Sequence, residues 1–108
     1  MTTQRPEWLT EQCPDWCEID HAEQVLPGDR LHAECGITVP VIAEYTTRGH
    51  DGELLHHEEP AYMTVGRYRR VGEQTSWLSI GEDERQHLEI SLESAHRLVG
   101  VLRDELGL

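Results

Sequence analysis

The sequence predicts an α+β domain: a small antiparallel sheet of three or four strands, packed by one C-terminal helix, with a separate Cys/His element near the N-terminus. Three observations carry this expectation. Short apolar runs separated by brief polar connections fill residues 37–91, one helical-period stripe closes the chain, and three cysteines and two histidines crowd into residues 13–35. At 108 residues, with no Ser/Gly-rich or Pro-rich linker, the chain is expected to be one domain. Residues 1–12 are polar apart from Trp8 and Leu9 and read as a flexible, at most partly docked arm, leaving 13–108 as the domain.

The strands follow from alternation and breakers. In ITVPVIAEYT, residues 37–46, one face carries Ile37, Val39, Val41, Ala43 and Tyr45, and Pro40 restricts the segment to an edge or a bulge because it donates no ladder hydrogen bond. RGHDGELLHHEEP, residues 48–60, has two glycines and a closing proline and reads as a long acidic loop with a short strand at Leu54 and Leu55. AYMTVGRYRRV, TSWLSIG and HLEIS supply three more strands. Their connections, VGEQT and GEDERQ, are short enough for an antiparallel meander.

In SLESAHRLVGVLRDELGL, apolar residues at 92, 95, 99, 102 and 106 recur at helical spacing, and Leu98 and Val101 widen the stripe. Ser91 is the expected N-cap, with Glu93 in the first turn where the helix dipole favours an acid. The stripe is expected to lie on the sheet with Leu102 near the middle of the core. Gly100 costs about 1 kcal/mol relative to Ala in a helix interior and is read as a point of close packing. Because the added residues Leu98 and Val101 broaden the face beyond a two-heptad seam, a monomer or at most a weak homodimer is expected.

Composition excludes several functions. No apolar run approaches the roughly 18 residues of a membrane helix, and MTTQRPEW lacks the basic start and apolar centre of a signal peptide, so a cytoplasmic protein is expected. Acidic residues outnumber basic ones 21 to 9, giving a net charge of −12, so nucleic acid is not an expected ligand. There is no G-x-S-x-G, no H-E-x-x-H and no phosphate-binding glycine loop, and no enzymatic activity is expected. Three cysteines would leave one unpaired in any disulfide, and a reducing compartment favours thiols or thiolate ligands.

The chemistry lies in CPDWCEIDH, residues 13–21, and in the segment after it up to residue 35. Soft thiolates and imidazole nitrogens are zinc ligands, and four of them close a tetrahedral structural site. The candidates are Cys13, Cys17, His21, His32 and Cys35. One continuous helix cannot bring Cys13, Cys17 and His21 to a single ion, because residues eight apart are separated by about 12 Å along its axis. Pro14 supplies the necessary bend. Asp15 would then cap a short helix from Trp16 that sets Cys17 and His21 on one face, with His32 arriving after the Pro27-Gly28-Asp29 turn. A competing set, Cys13, Cys17, His32 and Cys35, satisfies the same geometry, and buried, metal-free thiols remain the alternative to both.

CPDWCEIDH, then DRLH, VPV and the capped helix ISLESAHRLVGVL, resembles small uncharacterised domains of actinobacteria and their phages. Those domains carry a C-P-x-W-C-x3-H segment, a second histidine about ten residues on, several strands and a terminal helix of the type L-T-x-E-E-A-R. Leu92 and Ser94 depart from that helix pattern. The resemblance implies Cys13, Cys17, His21 and His32 as the ligand set, without Cys35, and implies no activity.

His50, His56 and His57, among Asp51, Glu53, Glu58 and Glu59, are read as a solvated polar loop, and Arg67 and Arg69 as partners of neighbouring acids. The expected function is a non-enzymatic interaction or regulatory module, stabilised by structural zinc and binding another protein. Its rivals are an acidic nucleic-acid mimic that occupies a basic nuclease or regulator, and a zinc enzyme with an open coordination position.

Overall fold

The computed structural model describes residues 5–82 and 86–108, so the first four residues of the expected arm and part of the 81–86 connection lie outside the description. Among the described residues the strands are β1 (Leu31–Ala33), β2 (Ile37–Arg48), β3 (Leu54–Arg70), β4 (Trp77–Glu82) and β5 (Gln86–Ser91), followed by the helix α1 (Leu92–Leu106). Their pairings are antiparallel: β3, β4 and β5 form the expected meander, β2 pairs with the other edge of β3, and β1 pairs with the far end of β3 on that same edge. The α+β class is as the sequence predicts, with five strands in place of three or four. No described helix is long and apolar enough to cross a membrane.

The additional sheet comes from two places. Residues 48–60 are not a loop: β2 and β3 form a hairpin paired from Ile37↔Val65 out to Arg48↔Leu54. Its turn is closed by hydrogen bonds from Gly49 N to Glu53 O (2.8 Å) and Gly52 N to Gly49 O (3.0 Å), with Gly52 at φ 86°. Next to the turn, residues 46–48 and 54–58 are exposed on both faces, which removes the alternation by which a strand is recognised. β1 is three residues long, too short for any periodicity. Pro40 sits on β2, which pairs on one side only and so needs no donor there.

β1 and β2 lie along the same edge of β3, separated by a break at Gly36. Its φ of 89° is left-handed, and a Cβ there would lie 2.9 Å from Thr64 Cγ2. Opposite it, a Cβ on Gly66 would lie 3.3 Å from Gly36 Cα, so both glycines are required by close backbone approach. The break turns Glu34 onto Arg67, whose backbone N–H it accepts at 2.8 Å and whose guanidinium it meets at 3.2 Å.

Ser91 caps α1, accepting the Ser94 N–H at 3.1 Å, and Gly107 at φ 71° ends it in the left-handed conformation with bonds back to Asp104 O and Arg103 O. Ala95 is buried against β4 and β5, where the first turns of the helix meet the sheet. The rest of the stripe does not follow. Val99, Leu102 and Leu106 are exposed, so Leu102 is not in the core, and a Cβ on Gly100 would meet no atom within 4 Å, so Gly100 marks no close contact.

Candidate metal centre

The N-terminal element is built from turns rather than from the short helix expected at Trp16. Pro14 starts a tight turn closed by Cys17 N donating to Pro14 O at 3.0 Å, which folds Cys13 back over Cys17. Glu18 N then donates to Ala33 O at 2.8 Å, tying the segment to β1. Asp20 caps a single 3-10 turn, His21–Glu23, by accepting the Ala22 N–H at 3.1 Å. Cys17 and His21 therefore meet through two turns and not along an α-helix, because Glu18 is tied to β1 and Asp20 is extended, with φ −82° and ψ 99°.

These turns bring His21 Nε2 to 3.4 Å from Cys13 Sγ and 3.5 Å from Cys17 Sγ. His32, on β1, lies beside them with its ring centroid 5.0 Å from that of His21. One ligand atom from each of Cys13, Cys17, His21 and His32 lies within 4.8 Å of the other three. Cys35 is exposed, and its backbone N–H is given to Glu18 Oε2 at 2.9 Å. Among the described residues no second group of this kind forms, the His50, His56 and His57 hairpin included.

The spacing suits one ion. In a tetrahedron with Zn–S of about 2.3 Å and Zn–N of about 2.0 Å, a sulfur–nitrogen edge is about 3.5 Å long. The two Sγ–Nε2 distances match that edge.

One imidazole is held from behind by a hydrogen bond, and the other is only faced by a carboxylate. His21 Nδ1 donates to Gln24 Oε1 at 2.8 Å, and Gln24 Nε2 in turn donates to Leu31 O at 3.1 Å, so Nε2 keeps its lone pair facing the thiols. Trp8 meets the His21 ring edge-on at 5.8 Å, and the Arg30 guanidinium covers Trp8 at 4.3 Å. His32 is wholly buried, and neither ring nitrogen has a hydrogen bond among the described residues. Its Nε2 faces Glu11 Oε2 at 3.5 Å. Buried polar atoms are rarely left without partners, so an orphaned imidazole beside two thiols fits a metal-binding site.

Burial lowers the pKa of His32, favouring the neutral imidazole that a metal requires. Burial, reinforced by the adjacent Cys17, raises that of Cys13. Two neighbouring thiolates are disfavoured until a cation is present, so metal binding and proton release are linked here.

Glu11 and Gln24 are supporting residues that sequence reasoning passed over. Gln24 stands three residues after His21, a spacing that hints at contact across one turn. Glu11 binds Arg69 (3.2 Å) and the Gly72 N–H (2.5 Å), so nothing near it in sequence announces its role. Leu9 is buried, Pro6 and Leu9 line a hollow with Cys13 and His21, Trp8 meets His21 and Glu11 faces His32, so this part of the arm reaches the site. Arg67 and Arg69 pair with Glu34 and Glu11.

Fold and site together define an α+β domain with a Cys2His2 cluster able to hold a metal ion. The chain belongs to the family described as a domain of unknown function, DUF6907, whose model matches residues 1–107. No curated protein and no solved structure matches it.

Proposed function

We propose that this chain is a non-enzymatic protein-interaction module whose N-terminal element is fastened to the sheet by one structural zinc ion, held by Cys13, Cys17, His21 and His32. The observation that carries the reading is the fully buried His32, whose two nitrogens lack hydrogen bonds within reach of two thiols and a second, pre-oriented imidazole. With Nε2 turned to Glu11, Nδ1 is the nitrogen left for the ion. Two thiolates and two imidazoles complete a tetrahedron and leave no position for substrate or water, which favours a structural over a catalytic role. Among the described residues the buried apolar side chains are Leu9, Ala61 and Ala95, and bound zinc supplies the cross-link that so small a core does not provide by itself. Thiolate ligands agree with a reducing, cytoplasmic setting.

Protein purified without added metal is expected to contain close to one zinc per chain and to lose its fold on chelation. Absence of zinc together with unchanged thermal stability after chelation would overturn the reading.

A second reading is favoured by the register of the β2–β3 hairpin. Glu44 stands directly opposite Glu58, and like charges so placed weaken a hairpin. A basic partner would relieve that repulsion, which supports the idea that the acidic arm imitates nucleic acid and occupies a basic protein. Affinity for such a partner should then fall steeply with salt and fall again in Glu44→Gln/Glu58→Gln; a salt-independent affinity would dismiss the mimic.

A further inference from the structure

The chain exposes far more surface than its mass calls for. A folded monomer of 12.4 kDa presents roughly 6,100 Å² to water, and this chain presents 8494 Å². Its radius of gyration is 18.3 Å, against about 13 Å for a compact domain of this length. The exposed β2–β3 hairpin contributes to the excess, and two further contributors are apolar faces. Register places Ile37, Val39, Met63, Val65, Ile80 and Leu88 on one face of the sheet, where Ile37 remains 72% and Val39 42% exposed. On α1 the stripe continues past its contact with the sheet through Val99, Leu102 and Leu106, with Leu102 49% and Leu106 70% exposed.

We propose that these two surfaces are the halves of an isologous interface with a second copy of the chain. A two-fold axis presents the helix ridge of each subunit to the sheet face of the other and covers both at once, whereas an unrelated partner would have to cover two separate surfaces. The area is sufficient: obligate homodimers bury about 2,000 to 5,000 Å² in total, or half that per chain, and the excess of roughly 2,400 Å² per chain, shared with the exposed hairpin, leaves room for an interface of that size. Buried apolar side chains are so few among the described residues that the fold gains its hydrophobic core on pairing. The net charge of −12 on each copy opposes association, so added salt strengthens the dimer.

Sedimentation of the metal-loaded full chain, from submicromolar to tens of micromolar concentration, is expected to give twice the chain mass, with a Tm that rises with protein concentration. A monomer with a concentration-independent Tm overturns the proposal. Leu106→Glu places a charge in water if the chain is alone and inside the interface if it is paired. It is expected to raise the dimer dissociation constant roughly tenfold or more. A dimer as tight as the parent in both Leu106→Glu and Val39→Glu would exclude these surfaces. Should either variant fail to fold, isotope-filtered NOEs in a mixed-labelled parent dimer decide the matter: contacts between Leu102 methyls of one subunit and Val39 methyls of the other support the interface, and their absence refutes it.

Discussion

Glu11 reaches His32 across 3.5 Å, from its Oε2 to the imidazole Nε2, while the same carboxylate holds the Arg69 guanidinium at 3.2 Å and accepts the Gly72 N–H through its other oxygen at 2.5 Å. One side chain thus joins the N-terminal arm, the end of β3 and a proposed metal ligand. The Gly72 hydrogen bond is the main reason that the Glu11 carboxyl is held below the usual range; burial opposes it, and the neighbouring His32 and Arg69 add to it. Glu11→Gln keeps the shape and removes the charge. It should weaken metal retention about 10- to 100-fold, the usual effect of losing the acid behind a ligating histidine. Competition against a colorimetric chelator measures this, and an unchanged exchange point would mean that Glu11 only anchors the arm.

The cysteines separate by role. Cys17→Ser is expected to lose the metal and the cooperative unfolding transition, and Cys35→Ser to keep both, because Cys35 is exposed and stands outside the cluster. Elemental analysis and circular dichroism of the two variants provide the comparison. Loss of metal from Cys35→Ser with retention in His21→Ala would instead select Cys13, Cys17, His32 and Cys35.

In the outer half of the hairpin the Tyr45 hydroxyl donates to the buried Glu82 carboxylate, joining β2 to the end of β4. Its ring stacks on His57 at 5.4 Å. Hydrogen bonds to charged groups contribute about 1.5 to 3 kcal/mol. Tyr45→Phe should lower stability by that amount in urea unfolding, with an unchanged m-value. A change near zero would show that the carboxylate is fully served by other partners.

The cap of α1 gives a smaller effect. Ser91→Ala removes the acceptor of the Ser94 N–H and should cost about 0.5 to 2 kcal/mol. Thermal unfolding checks it, and a neutral result would mean that water replaces the hydroxyl without loss.

What the sequence disclosed depended on whether a signal was local. The strand at 37–46 and the helix from Leu92 were legible because alternation, Ser91 and the 3-4 spacing are properties of adjacent residues. The cluster was legible because few residue types bind soft metals and Pro14 allows a bend. The outer hairpin was hidden because Leu54, Leu55 and their neighbours are exposed and carry no one-sided pattern. Glu11 was hidden because its partners are 58 and 61 residues away. Leu102 was misplaced for another reason: periodicity records which side chains need cover and does not say whether their own sheet supplies it.

Zinc-edge X-ray absorption on the purified protein is the decisive measurement for the proposed centre, because it counts the atoms around the ion. A site made of Cys13, Cys17, His21 and His32 gives two sulfur atoms at about 2.3 Å and two imidazole nitrogens at about 2.0 to 2.1 Å, with no oxygen in the shell. Three sulfurs and one nitrogen would replace His21 by Cys35, a light-atom ligand in place of one histidine would reopen catalysis, and a protein without zinc that folds normally would contradict the structural-zinc reading outright.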